Sequence, residues 1–253
     1  MNAISDIQGK KIFFLHPSTV VQNQIVAELA QQEFEVYVVK NHGTIKKVLK
    51  KYNDSILFVD IDEGMNEHEW ETWIRGILNT QPEVAIGVLT GNRDEKLMHK
   101  YITSVKVQCG YTLIRSDINK CIVQILEILK DVNAKGRRKY IRTCIEKETM
   151  ATINLPHGGD YINGIIKDIS VVGISCVFDQ DPELTKNALF KDIQVKLQTM
   201  LLKVEAISFG SRNEGNSKIY VMLFTQRIDP DVRTKVRKYI QQNLQGKMDI
   251  ELK

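Results

Sequence analysis

Two arginines four residues apart, Arg138 and Arg142, stand in the run Arg137-Arg138-Lys139-Tyr140-Ile141-Arg142 at the head of the second half of the chain. A guanidinium is a flat fork of donors that matches phosphate oxygens two at a time, and its plane stacks on purine rings. Further along comes Asp168-Ile-Ser170-Val-Val-Gly173. A carboxylate there can accept from the N1–H and N2–H edge of guanine, which adenine does not supply. Ser170 can donate to a phosphate or fix a turn, and Gly173 permits a close backbone approach or a positive φ. Nothing in this half supplies a convincing catalytic base or metal, so the pattern points to binding rather than turnover.

The remaining chemistry-bearing residues are scattered. His16, His42, His68, His99 and His157 are isolated and lack metal-ligand spacing. Cys109, Cys121, Cys144 and Cys176 form no CxxC pair and read as free thiols of a reducing compartment. The stretch HPSTVVQN from His16 holds neither a GxGxxG nor a Walker pattern, and no sequence-local Ser/His/Asp or Cys/His signature is present. An enzyme is not expected, nor is a resident cofactor or metal.

The elements that must position these residues fall into two patterns. In the first half, short apolar runs at Lys10–Leu15, Phe34–Val39, Ser55–Ile61, Val84–Leu89 and within Val105–Ile114 alternate with helical segments, the last from Ile118 to Leu129. Strands apolar throughout with helices between them predict a doubly wound parallel sheet covered on both faces. Its chemistry would gather at the strand carboxyl ends, where Asp60, Asp62, Thr90 and Arg115 fall. In the second half, strands at Thr143–Ile153, Tyr161–Ile169, Gly173–Phe178, Ile193–Leu202, Leu202–Phe209 and Lys218–Thr225 precede an amphipathic helix at Val232–Leu244. That order predicts a compact antiparallel barrel with a terminal helix. The expected division is residues 1–131 for the α/β domain, 132–137 for a linker and 138–253 for the barrel domain.

Composition agrees with two packed domains. The chain has 253 residues, 43% of them hydrophobic and 26% charged, enough for real cores without a disulfide or metal staple. Residues 1–135 carry 16 Lys/Arg against 17 Asp/Glu, and residues 136–253 carry 19 against 14, so the excess positive charge lies in the second half. An excess of that size suits a phosphate-bearing ligand and is too small for binding long nucleic acid. No run approaches the roughly 18 apolar residues of a membrane span. MNAISDIQGKKIFFL has no apolar core behind a basic head and no cleavage site, which points to a cytoplasmic protein.

Two resemblances follow. RRKYIR followed by DISVVG resembles the PilZ domain family, bacterial receptors for the second messenger cyclic di-GMP. The family binds that ligand with an RxxxR motif and a D/N-x-S-x-x-G motif on a β-barrel, which match Arg138 and Arg142, and Asp168, Ser170 and Gly173. Arg137 falls at a position that in the family influences whether one or two ligand molecules bind. The resemblance, over residues 136–245, implies a cytoplasmic cyclic di-GMP receptor or effector in signal transduction, coupling ligand binding to domain arrangement or to a downstream protein partner. The first half resembles the response-regulator receiver domain, which places Asp60 at the phosphoacceptor position and Thr90 at the hydroxyl position. Here it departs from the pattern. His16-Pro17 replaces the acidic pair that holds Mg²⁺, and Arg115 stands in for the lysine after strand five, so a vestigial, non-phosphorylated domain is expected. A non-binding adaptor with the same fold, an Asp60-phosphorylated regulator and a basic nucleic-acid binder are the alternatives, in that order. Oligomeric state and ligand stoichiometry are left open.

Overall fold

The structure is a computed structural model that describes residues 9–114, 117–146, 151–215 and 217–253. It contains two compact units. One runs to Lys139 and includes Gln245–Lys253; the other is Tyr140–Leu244.

The first unit is built on five parallel strands, β1 (Ile12–Leu15), β2 (Val36–Val39), β3 (Ile56–Asp60), β4 (Ala85–Thr90) and β5 (Tyr111–Leu113), in the order β2-β1-β3-β4-β5. Between them lie α1 (Val21–Val26, continuing as Ala27–Gln31), α2 (Ile45–Lys51), α3 (Glu67–Thr80) and α4 (Glu95–His99, continuing as Lys100–Val105); α5 (Ile118–Asp131) follows β5. All four residues of β1 and all five of β3 are buried, as strands covered on both faces require. Successive side chains point to opposite faces. Ile12, Phe14, Ile56 and Phe58 pack with Val21, Ile25 and Leu29 of α1 and with Cys121, Ile125 and Leu129 of α5. Phe14 stacks on Phe58 within that layer, and Phe13 stacks on Tyr37. The α3 helix starts cleanly because Asn66 accepts from the Glu69 N–H while the Glu69 carboxylate accepts from the Asn66 N–H, a complete capping box.

The second unit holds β6 (Arg142–Cys144), β7 (Ala151–His157), β8 (Asp160–Ser170), β9 (Gly173–Phe178), β10 (Leu189–Leu197), β11 (Met200–Glu214) and β12 (Ser217–Phe224). Pairing runs β8-β7-β10-β11-β12-β9 and returns from β9 to β8, so six antiparallel strands close into a barrel. Short β6 occupies the same side of β8 as β7, pairing with Asp168–Ser170 where β7 pairs with Asp160–Ile165. Inward residues such as Leu155, Ile166, Ile169, Val195, Val204 and Tyr220 form one core, which Val236, Tyr239 and Ile240 of α6 (Pro230–Glu251) join.

Both parts of the expected fold class are present, with two corrections of detail. The strand expected across Ile193–Leu202 is two strands, β10 and β11, joined by a tight hairpin in which Leu197 faces Met200 and Gln198 takes φ +54°. The strand expected to stop at Phe209 runs on to Glu214, because a bulge between Ser208 and Gly210 absorbs Phe209 and pairing with β12 resumes beyond it. Arg115, and the middle of the strand expected at Thr143–Ile153, lie outside the described residues.

Candidate ligand-binding site

The β6–β8 pairing sets Arg142 opposite Ser170 and Cys144 opposite Asp168. Arg142 and Asp168 are therefore diagonal neighbours on adjacent strands, close enough for long side chains to meet. They do meet: Arg142 Nη1 lies 3.3 Å from Asp168 Oδ1, with the guanidinium about half exposed and the carboxylate 15% exposed. The other carboxylate oxygen accepts from the Ser175 hydroxyl, which comes from the directly opposed position on β9. A register shift between Ile166 and Asp168 on β8 places an extra residue, Lys167, just before the carboxylate. Bulges of this kind re-aim the following side chain.

Ser170 and Gly173 build the turn that carries this pair. The Ser170 hydroxyl donates to the Gly173 carbonyl at 3.2 Å and accepts from the Val172 N–H at 3.4 Å, and Ser170 is 3% exposed. Gly173 does not use a positive φ; a Cβ there would sit 2.4 Å from the Met222 carbonyl oxygen of β12. The Ser170 hydroxyl bonds within the turn, and Gly173 lets the β12 backbone approach closely. Arg137 and Arg138 are exposed and belong to the segment counted with the first unit.

Three polar residues of this neighbourhood escape a motif-based reading. Ser175 holds Asp168 from an otherwise apolar strand. Thr143, next to Arg142, donates from Oγ1 to Asn243 Oδ1 at 2.6 Å, inside the unit. Their only sequence signal is a polar residue on the buried side of an apolar pattern: Ser175 within Gly173–Phe178, and Asn243 on the stripe of Val236, Tyr239 and Ile240.

At the carboxyl ends of the first sheet the chemistry is different. Asp60 is 1% exposed, and its two oxygens accept from the Ser18 N–H at 3.0 Å and the Asp62 N–H at 3.3 Å. Burial raises its pKa above the usual carboxylate value, against the pull of those two hydrogen bonds. Thr90 donates to Asp62 at 2.6 Å rather than to Asp60, and the Gly91 N–H donates to the other Asp62 oxygen at 2.6 Å. Beside them His16, at φ +51°, sets Nε2 3.4 Å from His42 Nδ1, and both rings meet the edge or face of Trp70. Gly64 (φ +81°) passes so close that a Cβ would lie 3.0 Å from the His16 ring. An aromatic and imidazole cluster thus occupies this corner of the sheet. Among the described residues no three His, Cys, Asp or Glu side chains could jointly hold a metal, and no helix is long and apolar enough to cross a membrane.

No family model and no curated protein matches the chain. Solved structures do. A structure described as YcgR in complex with c-di-GMP from Escherichia coli matches at 16% identity and a TM-score of 0.39, covering 46% of this chain and 50% of that one. The match therefore spans about half the length of that relative. The MrkH–c-di-GMP complex of K. pneumonia matches at 18% identity and a TM-score of 0.41, covering 46% of this chain and 57% of that one. The signal receiver domain of an HD domain-containing protein from Pseudomonas fluorescens Pf-5 matches at 14% identity and a TM-score of 0.43, covering 53% of this chain and 96% of that one.

Proposed function

We propose that the chain is a cyclic di-GMP receptor, non-enzymatic and acting in the cytoplasm, whose second unit binds the ligand and whose first unit serves docking rather than phosphoryl transfer. The observation that carries this reading is the contact of Arg142 with Asp168 at 3.3 Å, at the turn built by Ser170 and Gly173. The guanidinium side of this pair is about half exposed and screened by solvent, so Arg142 is available for exchange. Asp168 releases the guanidinium and accepts the N1–H and N2–H edge of a guanine, with Ser175 keeping the carboxylate oriented. Arg142, freed, takes phosphate oxygens together with Arg138, and Arg137 contributes to a second stacked molecule where one binds. Every step is an exchange of hydrogen bonds, so no group transfer and no cofactor is needed.

The coupling of binding to output follows from the same arginines. Arg137 and Arg138, exposed before ligand arrives, close over the nucleotide, and that closure alters domain arrangement or the docking of a downstream protein partner. Calorimetry with cyclic di-GMP, GMP and cyclic di-AMP in parallel tests the reading. Saturable binding of cyclic di-GMP alone is expected, weakened at least tenfold in R142A and in D168N, as the loss of a charge-assisted contact of about 1.5–3 kcal/mol predicts. Equal binding of cyclic di-AMP, or unchanged affinity in the folded variants, would refute it.

A further inference from the structure

The hydrogen bond between Thr143 and Asn243 joins β6 to α6 inside the second unit. Thr143, the middle residue of β6, is 1% exposed, and Asn243 on α6 is 6% exposed. Asn243 extends the stripe of Val236, Tyr239 and Ile240 that packs on the barrel core, where an apolar side chain would serve packing as well. Its Nδ2 group has no hydrogen-bond partner among the described residues. A buried donor left unpaired opposes folding. The amide lies in contact with the strand that carries Arg142.

That strand needs a lock. β6 is three residues long and is joined to β8 by the pairs Arg142–Ser170, Thr143–Ile169 and Cys144–Asp168. Neighbouring side chains on a strand face opposite ways, so a slip of one residue would turn Arg142 inward and Thr143 outward. Because Ile141, Thr143 and Ile145 share the face that packs on the core, a slip of two residues would keep apolar burial, whereas the bond from Thr143 to Asn243 holds one pairing. We infer that Thr143 and Asn243 are positioning residues whose hydrogen bond locks the register of β6 and so aims the Arg142 guanidinium at the nucleotide.

The inference rests on the receptor reading, and its test separates the two. Cyclic di-GMP affinity and melting temperature are measured for the full chain and its variants. T143V weakens binding about three- to tenfold, the worth of one buried hydrogen bond, and T143S restores it. N243L, which removes the unpaired donor, melts no lower than the parent yet binds more weakly, so stability and affinity part company. In an R142K background, where the fork is already lost, T143V causes no comparable further loss. Parental affinity in T143V and N243L, or the same loss in both backgrounds, overturns the positioning role while leaving the receptor reading intact. A parent chain that takes up no cyclic di-GMP overturns both.

Discussion

Gly173 shows how one hydrogen atom in place of a methyl group sets the geometry of the site. Its Cα side faces the β12 backbone, and a Cβ would lie 2.4 Å from the Met222 carbonyl oxygen. Backbone cannot step aside as a flexible side chain can, so G173A should destabilise the second unit by about 1–3 kcal/mol, read from its denaturant midpoint. Ligand affinity should fall with it, because the β8–β9 turn holds Asp168 in place. His16 carries a second residue-scale prediction. Burial, and then the neighbouring His42, lower its pKa below the ordinary 6.5, while Glu63 pulls the other way. The folded chain then binds that proton more weakly than the unfolded chain, and stability rises with pH across this range. The first unit should be most stable above pH 6.5 and lose stability as the pH falls below it. H16N, whose side chain tolerates the left-handed backbone, should flatten the melting temperature between pH 7.5 and about 5.5.

At the scale of elements, the hairpin between β10 and β11 is the part of the fold that the residues conceal. Gln198 occupies a left-handed position at φ +54°, where non-glycine residues are strained by roughly 1 kcal/mol. Q198G should therefore raise the melting temperature of the barrel, by up to several degrees for a strain of that size, and a lowered value would count against the turn geometry. Gln and Thr are not turn formers, so Ile193–Leu202 reads as one strand from sequence. The parallel strands were legible because burial on both faces forces continuous apolar runs, as in Ser55–Ile61, and the helices because their apolar positions recur on one face. The Arg142–Asp168 pair was legible as two motifs, since both residue types carry a recognisable chemistry. What surrounds it was not: Ser175 reaches Asp168 from another strand, Asn243 on α6 meets Thr143 beside Arg142, and no local spacing encodes a contact between residues 143 and 243. Likewise Thr90 finds Asp62 instead of Asp60, a choice between two carboxylates that only side-chain direction decides.

For the whole molecule, ordering of the arginine segment gives a measurement independent of affinity. Arg137 and Arg138 are exposed, and trypsin should cut after them readily in the free chain. Saturating cyclic di-GMP should suppress that cleavage at least fivefold, the scale of a modest coupling free energy, whereas GMP should not. Cleavage at the same rate with and without ligand would mean that the segment does not close.

The first unit also has consequences for how the chain is made. Its edge strand β2 is completed by Gln245, whose side-chain amide donates to the Val38 carbonyl and accepts from the Val38 N–H, both at 2.9 Å. Glu251 likewise accepts from Tyr52 and pairs with Lys51. These partners are separated from the rest of the unit by all of Tyr140–Leu244. At synthesis rates of about 5–20 residues per second, the ribosome needs roughly 5–20 s to cross that stretch. During that interval the nascent sheet exists with one flank uncovered, so a gene truncated before codon 245 should yield a polypeptide that is prone to pair with copies of itself.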